Sequence, residues 1–246
     1  MLRSSRHVLL GVLAAALTTL AAAPPAIACD CDSPPDTVAS AKARLGVIAL
    51  GRIRSVTRPA HGPLEVTLFV TQAWRGAAAG AELTLPVDGS DCGYQLVPGD
   101  EALVYAPVGG EVGQCKGDAS ARVVLGAAMA ADLAALGPAA STSTAAPPAL
   151  QTDELVIADG RVDIAYDLGR PMVYVSVSRA TRGATRGERL AITTPVGACA
   201  AKLTAKARDR VTVRARRVVG GLVISSCLAD TSLKVTRTST RPRRAP

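Results

Sequence analysis

Six cysteines and a late concentration of arginines are the residues in this sequence with chemistry to offer. Cys29 and Cys31 stand one residue apart in Cys29-Asp30-Cys31-Asp32-Ser33-Pro34-Pro35, and Cys92, Cys115, Cys199 and Cys227 lie at long intervals beyond them. Thiols scattered in this way, with no Cys-x-x-Cys pair, read as disulfide staples rather than as metal or redox ligands. The only histidines are His7 and His61. His7 falls in an N-terminal leader, and His61 sits in a Pro/Gly loop where it reads as solvated. A single imidazole excludes a His-clustered metal site and argues against a nucleophile–His–acid triad. No phosphate-cradling glycine loop is present. The sequence therefore predicts no enzyme, no cofactor and no resident metal.

Residues 1–28 have the layout of a secretory signal. Arg3 and Arg6 supply the basic start, Val8 to Ala23 is apolar, Pro24-Pro25 breaks the run, and Ala26-Ile27-Ala28 supplies a small-residue cleavage site. The expectation is a secreted, extracellular chain in an oxidising compartment, with no membrane span. A lipoprotein signal also ends immediately before a cysteine, so acylation of Cys29 is the minor alternative. It would tether the chain and use up one thiol. Aromatics make up only 2% of a chain that is 48% hydrophobic, so the core must come from Val, Leu, Ile and Ala. Such side chains bury less area each, which makes covalent staples more useful.

Several short elements would position these residues. Thr37 to Leu45 suits a short helix stopped by Gly46. Val47 to Ile53, Glu65 to Thr71, Glu82 to Val87 and Ala102 to Ala106 read as strands between Gly, Pro and Asp turns. Val123 to Leu136 is apolar and Ala-rich, which predicts a helix closed by Gly137-Pro138. Trp74, the only tryptophan, reads as a barrel-closing core residue. This is a small β-barrel with helices, spanning 29–137. Residues 138–150 contain only Pro, Ala, Ser, Thr and Leu, and read as an extended linker.

Beyond the linker the chain repeats its own first half. Val156 to Val162 echoes Val47 to Ile53, and Val177 to Gly183 echoes Val70 to Gly76. Pro195-Val196 echoes Pro86-Val87, Cys199 falls where Cys92 does, and Gly220-Gly221 precedes Cys227 as Gly109-Gly110 precedes Cys115. Residues 151–235 thus predict a second, degenerate barrel lacking the cysteine head and the terminal helix, and 236–246 a basic disordered tail. Pairing within domains makes Cys199–Cys227 compulsory. In the first domain Cys29 and Cys31 each reach a distal partner, Cys92 or Cys115.

The Cys-x-Cys head, the Pro pair, the Val-Ile-x-x-Gly-Arg-Ile strand, the Trp74-Arg75-Gly76 segment, Asp91-Cys92-Gly93-Tyr94 and the Pro98 to Ala106 strand together resemble the netrin-like family. That family includes the N-terminal domain of tissue inhibitors of metalloproteinases. The resemblance covers Cys29 to about Gly137 and reaches the second half only through the repeat. It implies a mostly β chain of two tandem OB-like five-stranded barrels, the first with flanking helices, and the pairing Cys29–Cys92 and Cys31–Cys115. It also implies a candidate contact to a protease zinc through the α-amino nitrogen and carbonyl of a mature N-terminal Cys29. Asp30 would then enter the protease specificity pocket, where such inhibitors carry Thr or Ser. A carboxylate there would be desolvated beside an acidic general base, at a cost.

Charge points elsewhere. Residues 151–246 hold 18 Lys/Arg against 8 Asp/Glu, a net of +10, whereas residues 29–150 hold 8 against 12, a net of −4. Arg179, Arg182, Arg186 and Arg189 cluster around one strand and turn, and Arg208, Arg210, Arg214, Arg216 and Arg217 around another. These are the candidate anion-binding residues, facing an anionic glycan, an envelope polymer or an acidic protein. Nucleic acid is not expected, because single strands need stacking aromatics and the second half offers only Tyr166 and Tyr174. An extracellular binding protein is the main expectation, and a metalloprotease inhibitor acting on a zinc metalloprotease is the alternative.

Overall fold

Backbone register, more than composition, defines the architecture. The computed structural model describes residues 37–88, 95–113, 121–167 and 170–237. The leader, Cys29, Asp30, Cys31, Cys92, Cys115 and residues 238–246 lie outside them, and with them the head pairing and the zinc contact.

In the first half, helix α1 (Val38–Arg44) is capped by Thr37, whose hydroxyl accepts from the Ser40 N–H at 3.2 Å. Strands β1 (Val47–Thr57), β2 (Leu64–Arg75), β3 (Glu82–Val87), β4 (Glu101–Ala106) and β5 (Arg122–Leu125) form a sheet in the order β3-β2-β1-β4-β5. Helix α2 (Ala127–Leu136) comes next. The single helix expected over Val123 to Leu136 is therefore a strand and then a helix. The β-branched Val123 and Val124 pair with Val104 and Leu103 of β4. Gly126, at φ 60°, then turns the chain into the alanine-rich segment that favours helix.

Residues 138–150, expected as an extended linker, make backbone contacts with the first sheet. Strand β6 (Ser141–Thr142) pairs with β2, and Ser143 N–H donates to Thr71 O at 2.8 Å. Farther on, Arg54 Nε donates to Ala149 O at 3.4 Å, and Gln151 N–H donates to Arg54 O at 2.9 Å.

The second half contains β7 (Leu155–Asp167), β8 (Pro171–Arg182), β9 (Arg189–Thr193), β10 (Arg210–Val218), β11 (Gly221–Val223) and β12 (Ser232–Arg237). Pairing runs β11-β9-β8-β7-β10, and β11 returns to β10, so these five strands close into a barrel. β12 adds to the edge of β10 and carries the chain to Arg237, into the stretch expected to be tail.

The repeat is visible in the register itself. β1 on β2 is irregular between Ile48 and Ala49, Leu50 and Gly51, and Ile53 and Ser55. β7 on β8 is irregular at the matching places, between Ile157 and Ala158, Asp159 and Gly160, and Val162 and Ile164. Sharing these bulges gives both halves the same bends. Each central bulge needs a glycine, because a Cβ on Gly51 would lie 2.2 Å from Phe69 O and one on Gly160 2.6 Å from Ser176 O. The turn into β4 has an equally close counterpart. Gly99 N–H donates to Ile53 O at 2.7 Å, and Arg208 N–H donates to Val162 O at 2.7 Å. The Asp100 carboxylate accepts from Val97 N–H at 2.8 Å, and Asp209 from Lys206 N–H at 2.9 Å. Gly99 has φ 98°, and Arg208, the one described non-glycine residue at positive φ, has φ 76°.

The halves differ on their outer faces. Each has an interior of Val, Leu, Ile and Ala. The first half adds a second apolar layer, in which Ile48, Leu50, Leu103 and Tyr105 of β1 and β4 pack with Ala41, Leu45 and Leu136 beneath the two helices. Trp74, expected to close a barrel core, belongs instead to this outer layer and not to the sheet's other apolar face. Its indole N–H donates to Gly137 O at 2.8 Å, which ties the end of α2 to β2.

Asp100 joins the halves. All the described residues fall in one compact unit, Ser33–Pro246. Asp100 is fully buried, and besides Val97 it accepts from Val196 N–H at 2.8 Å and from the Arg170 guanidinium at 2.8 Å. Glu101 N–H donates back to Val196 O at 2.9 Å. Burial pushes the Asp100 carboxyl above the usual carboxylate range, while Arg170 and the two backbone donors oppose that shift.

These contacts set the expected stability of two variants. Arg208→Gly should raise unfolding free energy by about 0.5–1 kcal/mol, since left-handed strain at an L-residue outweighs the added chain entropy; urea titration reads it, and a loss of stability would refute the assignment of strain. Asp100→Ala should cost about 3–5 kcal/mol, because Arg170, whose side chain is only 12% exposed, is left charged without its partner. Unchanged urea midpoints for that variant would show that the junction contributes nothing.

Candidate functional site

The outer face of the second barrel is the candidate site, because the layer that covers the first sheet is absent from it. In the first half, register pairs Ile48 with Tyr105, Leu50 with Leu103 and Arg52 with Glu101. In the second half the same three rungs are Ile157 with Arg214, Asp159 with Thr212 and Arg161 with Arg210. Leucine has become aspartate, leucine has become threonine, and tyrosine has become arginine. Side chains that would seat a helix are replaced by side chains that seek water or a polar ligand. No helix is assigned among the described residues after Leu136.

A groove of about 590 Å³ runs over the last two of these rungs, lined by Asp159, Gly160, Arg161, Ser178, Arg210, Val211, Thr212 and Thr236. Thr212 Oγ1 donates to the Asp159 carboxylate at 2.7 Å, Ser178 Oγ donates to Asp159 O at 3.1 Å, and Thr236 Oγ1 donates to Arg210 O at 3.1 Å. The floor is thus ordered by its own hydroxyls. Arg161 and Arg210 stand directly opposite each other on antiparallel strands. Like charges placed so are normally destabilising. The first sheet avoids this with Glu101 opposite Arg52.

The nine arginines singled out by sequence fall into separate groups. Arg217 is tied into the fold: its guanidinium donates to Gly183 O at 2.6 Å and lies 3.5 Å from Glu154 and 3.9 Å from Glu188. Arg216 pairs with Asp230 and donates to Asp153 O at 3.2 Å. Arg214 donates to Asp230 O at 3.3 Å. Arg189 sits 3.6 Å from Asp163 and 4.6 Å over the Tyr174 ring, beside a Tyr166–Tyr174 pair 6.0 Å apart. Arg208 forms the left-handed turn before β10. Arg179, Arg182 and Arg186 are exposed around the end of β8 and the turn after it. Only Arg210 of the nine lines the groove. Its partner Arg161 is missed when arginines are weighed by their clustering along the chain. The echo of Arg52 by Arg161 in the repeat was the available signal, but it does not name the strand opposite.

One staple is in place. Cys199 and Cys227 are bonded at 2.04 Å, and Cys199 is buried where its loop meets Gly99 of the first half. Ser225 supports that loop, donating from Oγ to Cys199 O at 3.1 Å. Among the described residues no helix is long and apolar enough to cross a membrane.

Fold and face together describe a mostly β protein with two related sheets, the second a closed five-stranded barrel with an uncovered basic groove. Neither a family model, nor a curated protein, nor a solved structure matches the chain.

The two kinds of arginine should separate by stability. Arg217→Ala should cost about 1 kcal/mol, since it loses two half-exposed carboxylates and a carbonyl, while Arg186→Ala should stay within about 0.5 kcal/mol of the parent. Thermal unfolding of both variants checks this, and equal midpoints would refute the division.

Proposed function

We infer that the chain is an exported, non-enzymatic binding protein whose second barrel presents a basic face to an anionic extracellular polymer. The observation that carries this reading is the pair Arg161–Arg210, two exposed cations set opposite each other where the first barrel has Arg52 and Glu101. Among the described residues neither guanidinium has an acidic partner. A fold that tolerates this repulsion gains from a counter-charge supplied from outside. The excess of Lys/Arg in residues 151–246 would add long-range attraction to the same half of the protein.

The signal-like leader and the Cys199–Cys227 bond suit an oxidising, extracytoplasmic setting. In this reading both sheets are OB-like, netrin-like barrels, the first serving as a rigid mount and the second as the binding module. The junction at Asp100 would hold that face at a constant angle.

Binding to an immobilised sulfated polysaccharide, measured against sodium chloride concentration, tests the reading. Retention should be strong near about 20 mM salt and lost by about 1 M, where the screening length falls to about 3 Å. An uncharged polysaccharide of equal length should not retain the protein. Failure to bind the charged polymer at low salt would remove the basic-face reading.

A further inference from the structure

We propose that Arg161 and Arg210 form a clamp for one phosphate or sulfate ester group, and that the groove around them takes a polyhydroxylated polymer bearing such esters. This deepens the basic-face reading and rests on it.

Spacing is the first support. Residues directly opposite on antiparallel strands hold their Cα atoms about 4.5–5.5 Å apart. Two arginines on such a pair, both lining one groove, are close enough for their guanidiniums to reach a single tetrahedral oxyanion. Each can donate two parallel hydrogen bonds to it. The two cations are on β7 and β10, adjacent strands of a closed barrel, so the clamp is preorganised by backbone pairing rather than by loops.

The rest of the groove selects what carries the ester. Ser178, Thr212 and Thr236 place hydroxyls on its walls, and Asp159 lies one rung further along the β7–β10 ladder from Arg161, on the same face. Among the described residues, Thr212 is the one whose hydroxyl hydrogen is donated to the Asp159 side chain. A carboxylate holds several lone pairs, so Asp159 retains acceptor capacity for a ligand hydroxyl. A bare polyphosphate chain offers acceptors alone and would meet Asp159 with repulsion. A sugar or glycerol unit with an ester anion offers a donor to Asp159 and an anion to the arginines. The mixed character of the groove, two cations with one carboxylate, thus fits a polyol ester better than a dense polyanion.

The repeat supplies the decisive variant. Arg210→Glu installs the acid that the first barrel carries opposite Arg52, so it should leave the urea midpoint unchanged or raised. Full-length protein would be measured by calorimetry with dextran sulfate, poly(glycerol phosphate) and inorganic polyphosphate at one fixed ionic strength. Lys202→Glu, an exposed position in the β9–β10 loop, makes the same change of charge outside the groove. Arg210→Glu should weaken binding of the ester polymers at least roughly tenfold, and Lys202→Glu by less than roughly threefold. The parent should bind at least one ester polymer more tightly than polyphosphate, and the tighter of the two identifies the ester. Equal losses in the two variants would overturn the clamp while leaving a diffuse basic face standing. Preference for polyphosphate would overturn the role given to Asp159. Absence of all binding by the parent would instead defeat the basic-face reading itself.

Discussion

A fully buried carboxylate, Asp100, is the constraint on which the arrangement of the described residues depends. Removing a charge from water is expensive, and Arg170 together with the N–H groups of Val97 and Val196 offsets part of that cost here. Val97 closes the turn into β4, while Arg170 and Val196 belong to the second half. One side chain therefore shapes a turn and docks a barrel. The equivalent Asp209 keeps the turn role, accepting from Lys206 N–H. The same local cap serves in the first half as a joint as well.

From that joint the two copies diverge in what they do with a shared surface. Both have interiors of small aliphatic residues and both keep the glycine at the central bulge. The first copy turns its outer β1–β4 face into a second core under α1 and α2. The second copy leaves the same rungs open and fills them with Asp159, Thr212, Arg161, Arg210 and Arg214. Polar substitution and loss of helical cover are one event physically. An uncovered Leu50 or Leu103 would expose apolar area, and a covered Asp159 or Arg214 would bury charge.

Much of the strand plan was legible because it is local. Alternation and turn residues placed β1, β2, β3 and β4 to within a few positions, and the echo of Val47–Ile53 by Val156–Val162 announced the second copy. The misread cases all turn on distant partners. Val123 and Val124 look helical beside an alanine run until β4 offers them an edge. Trp74 looks like an interior residue until Gly137 supplies its acceptor. That Ser141 and Thr142 of the linker pair with β2 was likewise not legible, since the pairing depends on a strand far back in the chain.

The sequence by itself determined the duplication, the charge asymmetry between its halves and the pairing of Cys199 with Cys227, which is the bond observed. Each of these comes from order and count along the chain, which need no knowledge of contacts. Tertiary structure alone decided which arginines are spent within the fold and which face outward. Arg216 and Arg217 are adjacent to the others in sequence yet engage carboxylates, while Arg161 and Arg210, far apart in the chain, share one rung. Strand pairing is a long-range choice of register, and a shift of one residue would send every one of these side chains to the opposite face.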